Sequence, residues 1–143
     1  MSLPRTAARW LLAAFLLFAG TGHLTFARQD FQAQVPPWLP VDPDLVVLVS
    51  GIVEIGLGVA LLVARRRRSL VGWIVAGFFV TVFPGNIAQW LEHRDAFGLT
   101  SDSARAARLA FQPALVAWAL WCTGAWRGAT PRAMPPTSRG APE

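Results

Sequence analysis

Four apolar blocks, each close to the thickness of a bilayer when wound as a helix, constrain this chain more than any other feature. They run over residues 8–26, 45–64, 69–91 and 104–126. A helix needs roughly 20 residues to cross about 30 Å of hydrocarbon. A soluble helical protein would carry a charged face along each helix, whereas these blocks are apolar on most sides, as helices are when lipid surrounds them. The sequence therefore predicts an all-α fold, an integral membrane four-helix bundle forming a single domain over residues 1–126. Residues 127–143, rich in Pro, Gly, Ser and Arg, are expected to be a disordered cytoplasmic tail.

The first block has a second reading. Arg5 and Arg9 ahead of Trp10–Gly20 resemble the charged and apolar regions of a secretory signal peptide. Ala19-Gly20-Thr21 is a poor cleavage site, however, and the apolar character continues to Phe26. An uncleaved helix is expected.

Charge placement sets the orientation. With four spans, the N-terminus, the turn after the second block and the tail share one side. That side holds Arg5, Arg9, Arg65, Arg66, Arg67, Arg68, Arg127, Arg132 and Arg139 against Glu143 alone. The other side holds Arg28, Arg94, Arg105 and Arg108 with Asp30, Asp42, Asp44, Glu92, Asp95 and Asp102. The positive-inside rule then puts both termini in the cytoplasm of a cell that carries the protein in its plasma membrane. The net charge of +5 does not indicate nucleic acid, because the arginines border apolar blocks and no soluble basic domain exists. Cys122 is the single cysteine, so thiol–disulfide exchange by this chain alone is excluded.

The segment from Ala27 to Pro43 contains Phe31, Val35, Pro36, Pro37, Trp38, Leu39 and Pro40, too apolar for a free loop and too proline-rich for a helix. It is expected to lie along the membrane surface, with Trp38 at headgroup depth, and to cover the outer mouth of the bundle.

Polar side chains inside spans are expensive, so function is sought there first. They are His23, Ser50, Glu54, Asn86, Gln89 and Gln112, with Arg108 near a boundary. Alternating span directions bring all seven to the outer half. Ser50, Glu54 and Gly58 follow i, i+4, i+8 spacing; Asn86, Gln89 and His93, and likewise Arg105, Arg108 and Gln112, follow i, i+3, i+7. Each trio forms one stripe on its helix, and the stripes are expected to face inward. This predicts a ligand-binding pocket of His23, Ser50, Glu54, Asn86, Gln89, Arg108 and Gln112, open outward and closed below by Leu, Val, Phe and Trp. Glu54 and His23 are the candidate proton-exchanging groups. Interhelical hydrogen bonding is the alternative use of Glu54, Asn86, Gln89 and Gln112, and a satisfied interfacial histidine is the alternative for His23. Pro84, lacking an N–H, is expected to kink the third span and free a carbonyl near Val80. His23 and His93, without a cysteine cluster, do not make a metal site.

These residues resemble the DoxX-like family of small four-helix membrane proteins. The carriers are Ala19-Gly20-Thr21-Gly22-His23, Val35-Pro36-Pro37-Trp38-Leu39-Pro40, Ser50-Gly51-Ile52-Val53-Glu54-Ile55-Gly56-Leu57-Gly58, Phe83-Pro84-Gly85-Asn86 and Arg108-Leu109-Ala110-Phe111-Gln112-Pro113, in order between Ala13 and Thr123. The resemblance implies a membrane subunit associated with redox systems, with His23, Glu54, Asn86 and Gln112 as the shared polar core. A related branch, DoxD-like, resembles a subunit of a thiosulfate–quinone oxidoreductase; other relatives look like assembly or accessory factors.

Two functions follow as expectations. In the first, the pocket binds a quinone or similar molecule. His23 and Glu54 exchange protons with the ring, Asn86 and Gln112 bond its carbonyls, and Phe79, Phe83, Phe111 and Trp118 form the walls. In the second, the chain is a non-enzymatic accessory factor whose polar cluster joins helices and which associates with partner membrane or redox proteins. A solute transporter is a third class, without an evident inward path.

Overall fold

The structure, a computed structural model, describes residues 2–98 and 100–129. All secondary structure among them is helical: α1 (Leu3–Leu24), α2 (Arg28–Gln32), α3 (Pro43–Val63), α4 (Arg68–Leu91), α5 (Asp102–Thr123) and a closing 3-10 turn (Ala125–Ala129). The chain punctuates these helices with familiar chemistry. Pro4 and Pro43 occupy first-turn positions, where the missing N–H costs nothing. The Asp42 carboxylate accepts from Asp44 N–H at 2.7 Å, and Ser101 Oγ accepts from Ala104 N–H at 3.3 Å. Gly124 closes α5 in the left-handed region at φ 75°.

α1, α3 and α4 are long and apolar enough to cross a membrane. α5 has the length, but Arg105, Arg108 and Gln112 in its first half keep it out of that class. Boundaries differ from the sequence expectation at both ends. α1 begins at Leu3 rather than residue 8, because Pro4 and Arg5 fit a first turn. α5 stops at Thr123 rather than residue 126, because Gly124 caps it. Arg127, expected to open the tail, belongs to the 3-10 turn; the tail expectation for residues 130–143 lies outside the described residues. The expectation that 27–43 is helix-free is corrected by α2. The prolines start only at residue 36, so residues 28–32 are free to wind one turn.

The long helices pack as two antiparallel pairs, α1 with α3 and α4 with α5, joined mainly through α1 and α5. Glycine makes the first pair close. A Cβ on Gly51 would stand 2.7 Å from His23 Cβ and 2.9 Å from the Gly20 carbonyl, and one on Gly58 would stand 3.0 Å from the Ala13 carbonyl. In the second pair, Gly72 accommodates the Thr123 side chain. Trp118 Nε1 donates to the Ala8 carbonyl at 3.1 Å, tying α5 to α1. Leu12, Leu16, Leu61, Val75, Phe79, Leu115 and Ala119 form a buried core toward the end that holds both α1's start and α5's finish. Large apolar side chains such as Trp10, Phe18, Ile52, Val63, Trp73 and Val80 point outward around the long helices.

Candidate functional site

Above that core the helices part around a cavity of about 1020 Å³. α1 contributes its last turns, α3 its first half, α4 the stretch around Pro84, and α5 its first half. Residues 26–39 wrap the end away from that core with Phe31, Val35, Pro36, Trp38 and Leu39. Of the seven side chains singled out from sequence, six line this one space: His23, Ser50, Glu54, Asn86, Arg108 and Gln112.

Gln89 does not join them. It is buried elsewhere, and its amide donates to the Arg94 carbonyl at 3.4 Å. His93, the third member of that expected stripe, lies beyond the end of α4 at φ 51°, so helical phase no longer governs it. It contacts Asp102 at 2.9 Å. Arg105 likewise turns away, pairing with Asp95 at 2.5 Å and Asp102 at 2.7 Å. Two expected walls are also corrected. Phe79 and Phe111 line the cavity, but Phe83 does not, and Trp118 is committed to Ala8 at the other end.

His23 and Glu54 face each other because the glycine seam lets α1 and α3 approach. Both are buried, and Nδ1 of His23 lies 3.1 Å from Glu54 Oε2. The same nitrogen lies 2.8 Å from the Ala19 carbonyl. A carbonyl cannot donate, so Nδ1 carries the hydrogen and donates it to Ala19. The contact with Glu54 is then electrostatic, and Oε2 is buried with no hydrogen-bond partner. In neutral His23 the Nε2 lone pair is left as the proton-accepting position.

An aromatic stair leads away from this pair. His23 stacks on Phe31 with centroids 3.4 Å apart and planes at 14°, and Phe31 meets Phe97 edge-on at 4.7 Å. The Phe97 ring carries the Arg108 guanidinium at 4.7 Å. Phe97 sits at φ 54°, a region that costs a non-glycine residue about 1–2 kcal/mol. Asp30 holds it there, Oδ1 accepting the Phe97 N–H at 3.1 Å. Strain held in place beside a cavity is a common mark of a working site.

The amides of α4 and α5 answer each other. Asn86 Nδ2 donates to Gln112 Oε1 at 2.9 Å, and Gln112 Nε2 donates to the Phe79 carbonyl at 2.8 Å. That carbonyl lies five residues before Pro84, where the missing N–H opens the helix ladder, one position from the Val80 carbonyl expected from sequence.

The cover is fastened at several points. Arg94 Nη1 donates to the Ala33 and Val35 carbonyls at 3.2 Å each, and its Nε pairs with Glu92 at 2.6 Å. Arg28 forms a two-pronged pair with Asp44, which also accepts from Gln32 at 2.6 Å. Asp44 beside it raises the Arg28 pKa above its usual value. Gly85 lets the cover descend onto α4; a Cβ there would stand 2.7 Å from the Gln34 carbonyl. Gln34 itself lines the cavity, and its Nε2 is buried without a partner. Sequence reasoning missed Gln34, Asp30 and Phe97; the apolar loop containing Phe31 was the available signal. Among the described residues, no three of His, Cys, Asp and Glu gather as metal ligands.

The family described as a domain of unknown function (DUF8561) matches residues 12–123. No curated protein and no solved structure matches the chain.

Proposed function

The chain belongs to the DUF8561 family, and from its site we propose an integral membrane protein that binds a small amphipathic ring compound of the quinone class in its outward-facing cavity. Four transmembrane helices with cytoplasmic termini in the plasma membrane complete this reading, as does association with a redox system. The resemblance to DoxX-like proteins supports it, as do the apolar side chains around the long helices and the arginine runs at the end bearing the termini.

One observation carries the proposal: the close His23–Glu54 pair, with Glu54 Oε2 unpartnered, opens onto a cavity walled by phenylalanines. Aromatic and aliphatic walls with a few placed polar groups are what a ring-binding site needs, and typical ligand pockets hold about 300–1000 Å³. When the associated redox system reduces or reoxidises the ring, His23 Nε2 and the Glu54 carboxyl group give up or take back the protons of the ring oxygens. Gln112 uses both ends of its amide within the protein and Asn86 donates to it, so carbonyl recognition falls to Gln34 Nε2, a cavity donor with no hydrogen-bond partner among the described residues.

The accessory-factor reading retains one supporting observation: the Asn86–Gln112–Phe79 chain joins α4 to α5 as interhelical glue does. Quinone titration separates the two. Quenching of tryptophan emission by a short-chain quinone, measured for wild type and Glu54→Gln in a neutral detergent, is expected to show binding that the substitution weakens. Equal binding, with loss of stability instead, would favour the accessory role.

A further inference from the structure

At the covered end of the molecule four arginines occur, and three have carboxylate partners. Arg28 pairs with Asp44, Arg94 with Glu92, and Arg105 with Asp95 and Asp102. The fourth, Arg108, lines the cavity half-buried and makes no ion pair or hydrogen bond among the described residues. Its one contact of note is the face of Phe97, 4.7 Å away. The two carboxylates that share the cavity form no ion pair with Arg108: Asp30 accepts from the Phe97 backbone, and Glu54 stands beside His23.

A ring face attracts a cation but does not neutralise it. Arg108 is half-buried, and a guanidinium drawn partly out of bulk water with no ion-pair partner of its own is stabilised by an anion that enters beside it. The Phe97 ring gives the guanidinium an apolar seat at the cavity wall. A guanidinium is a planar fork that grips an oxyanion with two parallel hydrogen bonds. Phe97 is in turn held in a strained backbone conformation by Asp30, so the protein maintains this arrangement at a cost.

We propose that Arg108 recognises an anionic group on the bound molecule, so that the cavity selects amphipathic anions over neutral compounds of the same shape. The selected chemistry is an apolar ring or chain bearing a carboxylate, sulfonate, phosphate or ionised hydroxyl. Gln34 Nε2, the other unpartnered donor of the cavity, serves the neutral polar atoms of the same ligand. This deepens the reading of a ring-binding cavity and rests on it for the ring, but not for the charge.

Two matched pairs of probes test it. The first is an alkyl naphthoquinone against its hydroxy derivative, which is an anion near neutral pH. The second is a bromo-alkanoate against the bromo-alkanol of equal length. Binding is read by quenching of tryptophan emission in an uncharged detergent, with Trp38→Phe assigning the signal from the residue that lines the cavity. Wild type is expected to bind the anionic member of each pair roughly ten- to a hundredfold more tightly, the range of a charged hydrogen bond out of bulk water. Arg108→Gln is expected to erase that preference, the anionic member falling to the affinity of its neutral partner, with Arg108→Lys restoring part of it. Equal binding within both pairs in wild type, or a preference that survives Arg108→Gln, overturns the proposal; the wild-type comparison decides even if the variant does not fold. Preference for the alkanoate without binding of either quinone supports the anion site, assigns it to a lipid-like chain, and sinks the quinone reading. Both quinones binding alike, with no acid preference, does the reverse.

Discussion

Substituting Gly51 by alanine strikes the seam that creates the His23–Glu54 pair. The new Cβ would lie 2.7 Å from His23 Cβ and 2.9 Å from the Gly20 carbonyl, whereas ordinary contact begins at 3.4 Å. Neither neighbour is the end of a flexible side chain, so α1 and α3 must separate by roughly half an ångström to relieve the overlap. The His23–Glu54 distance of 3.1 Å then passes beyond normal contact for such a pair. Overpacking of this kind costs about 1–3 kcal/mol, offset by about 0.5–1 kcal/mol from replacing a helical glycine. A net loss of about 1–2 kcal/mol is expected. Gly56 and Gly77 supply the control, because a Cβ at either meets nothing within 4 Å. Alanine there should leave stability unchanged or raise it by up to about 1 kcal/mol. The assay is unfolding in mixed micelles with an increasing fraction of denaturing detergent, followed by circular dichroism. If Gly51→Ala proves as stable as Gly56→Ala, the close packing of α1 on α3 is refuted, and with it the origin of the pair.

Further expectations follow from single contacts. Gln112→Leu leaves the Asn86 amide and the Phe79 carbonyl without their bonds and should cost about 1–3 kcal/mol, read by the same unfolding assay. Gly85→Ala meets the Gln34 carbonyl and should lift the cover, raising hydrogen exchange in residues 33–35 while the core amides of α1 stay protected. Cys122 is fully buried, so maleimide labelling of the native protein should be far slower than after denaturation. The His93 hydrogen bond, then the charges of His93 and Arg105, hold the Asp102 pKa below the usual carboxylate value. A depressed pKa stabilises above the unfolded value of about 3.9, and that stabilisation is lost as pH falls through the folded value. Asp102→Asn should therefore flatten the acid limb of a stability–pH profile, and an unchanged limb would show the pairing contributes nothing.

The helices were legible because apolar block length and arginine position are local properties of sequence. Their ends were less so: Pro4 extends α1 backward and Gly124 cuts α5 short, each through capping chemistry that outweighs hydropathy. The cavity was largely legible from polar residues at helical spacing, since Glu54 and Ser50 share a face of α3 that must avoid lipid. Gln89 failed because an i+3 step leaves it about 60° short of Asn86 around α4, and its amide finds the Arg94 carbonyl instead. Phe97 was beyond sequence reasoning. Its place depends on a positive φ that nothing in Phe predicts and on Asp30, far away in the chain. Gln34 was hidden for a related reason, as its value lies in a missing partner rather than in a pattern.

Purification in a mild, lipid-retaining preparation, followed by mass spectrometry of the small molecules that accompany wild type and Glu54→Gln, tests the central claim most directly. The account predicts a small amphipathic ring compound bound to wild type and depleted in the variant, with both proteins folded. No retained compound in wild type, or the same compound held equally by Glu54→Gln, would contradict it and leave the His23–Glu54 pair as a structural joint between α1 and α3.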